Sequence, residues 1–186
     1  MATQLQAGML LLATPELLDP NFADTVVLLL DVDESGALGV VLNRPSAVAV
    51  VEVLGTWSGA ATAPDVLFQG GPVGKDSALA VALLRDVADE PLGFKAVYGG
   101  LGLIDLDTPV ELLQDQLAGL RIFAGYAGWG PGQLQGEIAE GSWYVADGRA
   151  ADAFLADTTS LWRDVMRRQP GELAWHSTRP ADPELN

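Results

Sequence analysis

The chain holds one histidine, His176, and no cysteine, so chemistry that needs an imidazole or a thiolate has a single candidate residue. His176 stands in a polar, proline-rich tail, where a solvated side chain is expected rather than a base. Without cysteine there is no disulfide framework and no zinc or iron–sulfur site of the thiolate kind. Hydrolysis of the serine type needs a nucleophile, a base and an orienting acid, commonly with Gly-x-Ser-x-Gly at a strand-to-helix elbow. The sequence has no such elbow. Paired carboxylates could do general acid–base work in principle. With 25 Asp and Glu, however, composition nominates no pair, and their default place is a solvated surface. No catalytic residue, metal ligand or cofactor is therefore assigned.

The glycine-rich segments fit no phosphate-binding pattern. Residues 70–77 (GGPVGKDS) approach Gly-x-x-x-x-Gly-Lys-Ser/Thr, but the first glycine position holds Gln69. The residue after Lys75 is Asp76, whose carboxylate would oppose a phosphate. The dinucleotide fingerprint fails at Gly100-Leu101-Gly102 and at Gly128-Trp129-Gly130, because neither run supplies the third glycine. Asp31-Val32-Asp33-Glu34-Ser35-Gly36 has the look of a calcium loop, yet the bidentate Glu would fall at Leu42. These segments read as turns.

What remains are three loops at expected strand ends. They carry Asn43, Arg44 and Pro45, then Gly70, Gly71 and Pro72, and finally the run 125–134 with Tyr126, Trp129 and Gln133. Dense glycine lets a backbone take positive φ or approach another group closely, while Tyr and Trp offer large amphipathic faces. Polar and aromatic loops on a rigid scaffold are where binding sites commonly lie. These nine residues are the candidate binding surface; the plainer alternative for 125–134 is a strand-to-helix corner packed by aromatics.

The elements that must position these loops follow from periodicity. Residues 9–13 open the chain as a strand. Residues 25–31 (TVVLLLD) form a short apolar run suited to a strand buried on both faces, and 37–43 return as its hairpin partner across the turn 33–36. Arg44-Pro45 stops that strand. Residues 48–54 are ambiguous between helix and strand, and 55–64 read as a surface loop. Strands are expected at 66–69, 78–84, 101–106, 120–127 and 143–146, with a short helix at 133–140. A helix is expected over 108–119, where Thr108 supplies the N-cap, Pro109 the first position and Glu111 a capping box. Val110, Leu113 and Leu117 give its apolar stripe, and Gly119 ends it. A last helix carries Leu161, Trp162, Val165 and Met166 and is capped by Asp157, Thr158 or Thr159, with Arg167 and Arg168 complementing its dipole. The tail through Asn186 reads as irregular.

At 186 residues the chain fits a single domain spanning 1–186. A formal net charge of −15 repels phosphate backbones, which argues against nucleic acid as a partner. The N-terminus has no Lys or Arg ahead of its apolar patch, unlike a signal peptide, and no apolar stretch is long enough to span a membrane. A cytoplasmic protein is expected.

Four segments taken together resemble the AlgH/YqgE family of bacterial proteins. They are Ala13-Thr14-Pro15 with Asp19-Pro20-Asn21-Phe22; Gly39-Val40-Val41-Leu42-Asn43-Arg44-Pro45; Gly70-Gly71-Pro72-Val73; and the run from Gly125 to Leu134. The resemblance implies a mixed α/β fold, in which a bent, bifurcated mixed β-sheet closes into a pseudo-barrel flanked by helices. Many members carry a histidine after Gly-Gly-Pro where this chain continues Ala80-Val81-Ala82-Leu83-Leu84, so the resemblance lends no histidine-based site.

The function expected is a non-enzymatic binding or regulatory module with a protein or small-molecule partner. The alternatives are an enzyme acting on a small anionic molecule, with Arg44 holding the anion, and a transcriptional regulator.

Overall fold

Strands with apolar residues at consecutive positions must be covered on both faces, and that requirement organises the molecule. A computed structural model describes residues 4–176. Strand β1 (Leu10–Ala13) is buried throughout, and β2 (Val26–Asp33) over its first five residues. Leu10, Leu12, Val26, Leu28 and Leu30 face an inner core, whereas Leu11, Ala13, Val27 and Leu29 join a second cluster on the outer face. The expected hairpin is present: β2 turns at residues 34–35 into β3 (Gly36–Val41). Its turn is closed by Ser35 N donating to Asp33 Oδ1 at 2.7 Å.

The chain continues as β4 (Pro45–Ala49), a one-turn helix α1 (Val50–Val53), β5 (Val66–Gln69), β6 (Val73–Leu84), β7 (Phe94–Tyr98), β8 (Leu101–Ile104), β9 (Leu117–Trp129), helix α2 (Gln133–Ala139), β10 (Trp143–Ala146), helix α3 (Leu161–Arg168) and a final turn α4 (Leu173–His176). The sheet runs β10-β1-β2-β3-β9-β6-β8-β7, with every pair in that order antiparallel. It curls into a half-barrel: the backbone at Gly8, just before β1, lies against the Tyr98 ring of β7. Helix α3 closes the inner core with Leu161, Val165 and Met166. Leu134 of α2 covers one outer face, while Val50, Trp57 and Leu113 cover the other.

Strand β9 is where the sheet forks. Residues 117–124 pair antiparallel with β6, and on the opposite edge Phe68 and Gln69 of β5 run parallel to Phe123 and Ala124. Beyond the fork that same edge is taken by β3, at Ala127, Gly128 and Trp129. Gly125 makes the switch. Before it, Leu120 and Ile122 face the outer cluster and Phe123 the inner core; after it, Ala127 and Trp129 face outward and Tyr126 packs inward. A β-bulge is needed to reverse the alternation, and Gly125 sits at φ +74°, where a side chain is rarely tolerated.

Three sequence expectations are corrected. The helix expected over 108–119 is instead two single 3₁₀ turns, Val110–Leu112 and Gln114–Gln116, and Leu117 already belongs to β9. Thr108 does not cap, because Pro109 is extended at φ −57°, ψ 128°. Pairing of 117–124 with β6 outweighs local helix propensity, and the apolar spacing serves to bury Leu113 and Leu117 against the outer sheet face. The stretch 55–64, read as a surface loop, contains a 3₁₀ segment Gly55–Ala60 whose Trp57 is fully buried and donates from Nε1 to the Leu106 carbonyl at 3.2 Å. The N-cap of α3 is Ser160, not residues 157–159; Asp157 Oδ1 accepts from Thr159 N at 2.9 Å and shapes the turn just before it.

The other expected strands and the short helix α2 are present, β6 and β9 being longer than their patterns indicated. Strand β7 was not expected from sequence at all. Residues 48–54, ambiguous in sequence, divide into the end of β4 and α1. The tail beyond residue 176, and the side chain of His176, lie outside the described residues.

Candidate functional site

The loops singled out in sequence converge on the fork, but not all of them present side chains there. Asn43 is a strut: its Oδ1 accepts from Val26 N at 3.0 Å and its Nδ2 donates to the Asp24 carbonyl at 2.9 Å, pinning the start of β2. Arg44 donates from Nη1 to the Asn21 carbonyl at 2.8 Å and from Nη2 to the Ala23 carbonyl at 3.0 Å, so it holds the 19–24 loop over the β3–β4 corner. Pro45 is exposed and opens β4, an edge position that needs no amide donor.

Gly70 is buried in the crossing itself, with its amide donating to the Ala124 carbonyl and its carbonyl accepting from Val41 N, both at 2.9 Å. Gly71, at φ +154°, passes so close to the Tyr126 backbone that a Cβ would overlap it. Tyr126 is half-buried on the inner core beside Gly74. Trp129 turns into the outer cluster, 6% exposed, with its ring stacked on Phe22 at 6.2 Å and edge-on to Trp143 at 6.1 Å. Gln133 is exposed and its Oε1 accepts from Gly130 N at 3.0 Å, closing the turn into α2.

A cleft of about 350 Å³ opens where β3–β4 and β5 diverge. Of the nine expected residues it takes in Arg44, Gly71 and Pro72. Asn21, Val41, Ser46 and Val48 line it from the 19–24 loop and the β3–β4 side, and Leu67, Gln69, Lys75 and Ala124 from β5, β6 and β9. Asn43, Pro45, Gly70, Tyr126, Trp129 and Gln133 do not line it; four of them are ties, turns or core that hold the fork, and Pro45 and Gln133 lie outside it. Lys75 lies in a segment whose sequence fits no phosphate loop, so the pattern gives it no role of its own. The available signal was its scarcity: Arg44 and Lys75 are the only Lys or Arg in the first 84 residues.

A second cavity of about 160 Å³ lies at the β2–β3 hairpin, lined by Asp31, Asp33, Ser35, Leu38 and Trp129 among others. The Ser35 hydroxyl, and then its amide, hold the Asp33 carboxyl below its ordinary value. Near the tryptophan cluster, burial pushes the Glu137 carboxyl up, opposed by the indoles of Trp129 and Trp143. Among the described residues no three His, Cys, Asp or Glu are grouped as a metal ion would need.

The comparisons with known proteins agree with this architecture. Over residues 10–174 the chain matches the DUF179 family model, described as AlgH-like. It is 55% identical over 182 residues to a UPF0301 protein of Streptomyces avermitilis, covering 96% of this chain and 94% of the relative. The crystal structure of protein DIP2367 from Corynebacterium diphtheriae superposes with a TM-score of 0.90 at 33% identity, covering 96% of this chain and 94% of that one. The solution structure of the AlgH protein from Pseudomonas aeruginosa gives a TM-score of 0.68 at 26% identity, with 97% and 98% covered. By sequence along nearly its whole described length and by the forked half-barrel sheet, this chain belongs to the AlgH-like family.

Proposed function

We propose that this protein is a non-enzymatic binding module whose ligand site is the cleft at the fork of the sheet. The observation that supports this most directly is the lining: two cationic side chains, three neutral polar ones and a set of apolar walls converge on one concavity of about 350 Å³. Pockets of that size, mostly apolar with a few placed polar groups, are the usual form of a small-molecule site. Strand ends and backbone crossings fix the walls, so the site is held by the fold rather than by a free loop.

An enzyme acting on a small anion would use the same cleft but needs a proton acceptor beside Arg44. The lining holds no carboxylate, and the carboxyl raised by burial, Glu137, belongs to the tryptophan cluster. That favours binding over turnover. A net charge of −15 disfavours nucleic acid as partner and with it the transcriptional reading. No helix among the described residues is long and apolar enough to cross a membrane. The cysteine-free composition suits a cytoplasmic setting.

The test fills the cleft. Immobilised protein and a Val48→Trp variant, whose substitution is at a partly exposed wall residue, are exposed to the same cell extract, and retained small molecules and proteins are identified by mass spectrometry. The reading expects species retained by the native protein, lost from the variant and released chemically unchanged. Identical retention by both proteins refutes it.

A further inference from the structure

We infer that the ligand of the fork cleft is a small organic anion, with a carboxylate or phosphate head and an apolar body; this rests on the binding reading above. The charge distribution carries the inference. In the first 84 residues nine acidic side chains outnumber two basic ones, and both basic ones, Arg44 and Lys75, line this cleft while none of the nine acids does. Chance scatter of two cations over an acidic surface would more readily set them beside carboxylates.

Among the described residues Arg44 is positioned without an ion pair. The two hydrogen bonds it donates go to the Asn21 and Ala23 carbonyls, which orient the guanidinium but leave its formal charge unbalanced. A guanidinium presents five donors in a rigid fork suited to two-point contact with a carboxylate or phosphate, and orienting it beforehand reduces the cost of binding. Lys75 forms no ion pair among the described residues. Together they supply one oriented fork and one mobile point charge. At physiological salt, interactions between exposed charges fade beyond about 8 Å, so the net charge of the whole chain counts for less at the cleft than the two cations that line it.

Size and wall chemistry define the rest. A volume of about 350 Å³ equals about a dozen water volumes at ~30 Å³ each, which suits about a dozen non-hydrogen atoms. Val48, Leu67 and Pro72 provide an apolar wall for a hydrocarbon body, and Ser46 and Gln69 provide neutral hydrogen-bonding groups. Two positive charges match one head group, not the run of phosphates of a nucleic acid.

The experiment is a set of amide-resonance titrations of the whole chain with phenylacetate, phenyl phosphate, the neutral isostere phenylacetamide and inorganic phosphate. Both organic anions are expected to shift Ser46, Gly71, Lys75 and Ala124 saturably, with phenylacetamide and inorganic phosphate each binding at least about fivefold more weakly. That factor corresponds to about one exposed charge contact. Lys75→Gln, at an exposed position with no partner to strand, should weaken the organic anions by about fivefold and leave phenylacetamide unchanged. If phenylacetamide binds the cleft as tightly as phenylacetate, the anion inference is overturned while the cleft remains a binding site. If inorganic phosphate binds as tightly as phenyl phosphate, the apolar body is overturned. If no probe shifts the cleft resonances, the anion inference fails, and retention by the native protein but not Val48→Trp separately decides the binding reading.

Discussion

Arg121 is the most demanding residue in the inner core, and replacing it measures how the two halves of the sheet are tied. It lies on β9 just ahead of the fork and is 1% exposed. Its Nη1 donates to the carbonyls of Ala153 at 3.2 Å and Leu155 at 2.7 Å, and its Nη2 to the carbonyl of Ala63 at 2.7 Å. The guanidinium carbon stands 4.2 Å from the centre of the Phe68 ring. No carboxylate pairs with it among the described residues. Burial pushes its pKa down to about 10. The fork therefore bridges two segments distant in sequence, 63 and 153–155, at the expense of holding a charge in the core.

Arg121→Met removes both terms. Three charge-assisted hydrogen bonds at about 1.5 kcal/mol each and a ring contact near 1 kcal/mol put the loss at about 5 kcal/mol. The depressed pKa corresponds to about 3 kcal/mol of burial cost that Met does not incur. The net expectation is about 2 kcal/mol of destabilisation. Arg121→Lys keeps a charge in the core, but its compact ammonium cannot reach both segments, so it should be less stable than Met by about 1–2 kcal/mol. Because the folded pKa is lowered, the cost of the charge is complete below about pH 10 and declines only as pH rises through that value. The native-minus-Met difference should thus be flat from about pH 5 to 9. Urea unfolding at equal m-values measures both variants. Lysine matching the native protein, or exceeding Met, would refute the argument that fork geometry rather than charge ties the core.

Gly125→Ala places a Cβ 2.5 Å from the Gly71 carbonyl and 2.9 Å from that of Val73 at φ +74°, and should cost about 1–3 kcal/mol by urea unfolding; a neutral result removes the bulge argument. Arg168 makes a two-point contact with Asp152, at 2.7 and 2.8 Å, and the Asp152 side chain is 5% exposed. Arg168→Met strands that carboxylate, and a loss of about 3 kcal/mol, read as a fall in Tm of about 6–12 °C, is expected. Glu137 has a raised carboxyl pKa, chiefly from burial, so its ionised form opposes folding above the folded pKa and that opposition is relieved as pH falls through it. The Tm of the native protein relative to Glu137→Gln should therefore rise as pH falls from neutral towards the ordinary glutamate value of 4.5, and a flat or falling difference counts against the assignment.

The strands were legible wherever burial on both faces wrote a continuous apolar run, as in β1 and β2, or a run closed by turn residues, as in β3 and β5. The segment 108–119 was misread because Thr108, Pro109 and Glu111 carry the local marks of a helix start, while the competing claim on Leu117 to Ala124 comes from β6, far away in sequence. β7 escaped notice because its residues read Phe-Lys-Ala-Val-Tyr, an edge strand with little burial to announce it. Trp57 in a Gly/Ala/Thr stretch gave no periodic signal, since a single anchor has no period. Of the site, the loops were found and the cleft was not: Ser46, Leu67, Gln69, Lys75 and Ala124 come together only once β5 and β9 run parallel beside β6.

The glycine- and aromatic-rich motifs of the expected ligand surface separate, in the folded chain, into two kinds of residue. Gly70, Gly71 and Gly125 let three backbone segments cross at the fork, and Asn43 pins β2 to the β3–β4 corner. Phe22, Trp129 and Trp143 then pack as one aromatic group, with Phe22 edge-on to Trp143 at 5.5 Å. The 19–24 loop joins that group to the cleft, because Phe22 belongs to the group while its neighbours Asn21 and Ala23 offer their carbonyls to Arg44. Arg44 is thus held through the loop by core packing, not by a partner of opposite charge. A cation fixed in place by carbonyls and, among the described residues, without a carboxylate leaves its charge for a counter-ion from outside, and that arrangement favours the cleft over the glycine-rich corner as the place to test for a ligand.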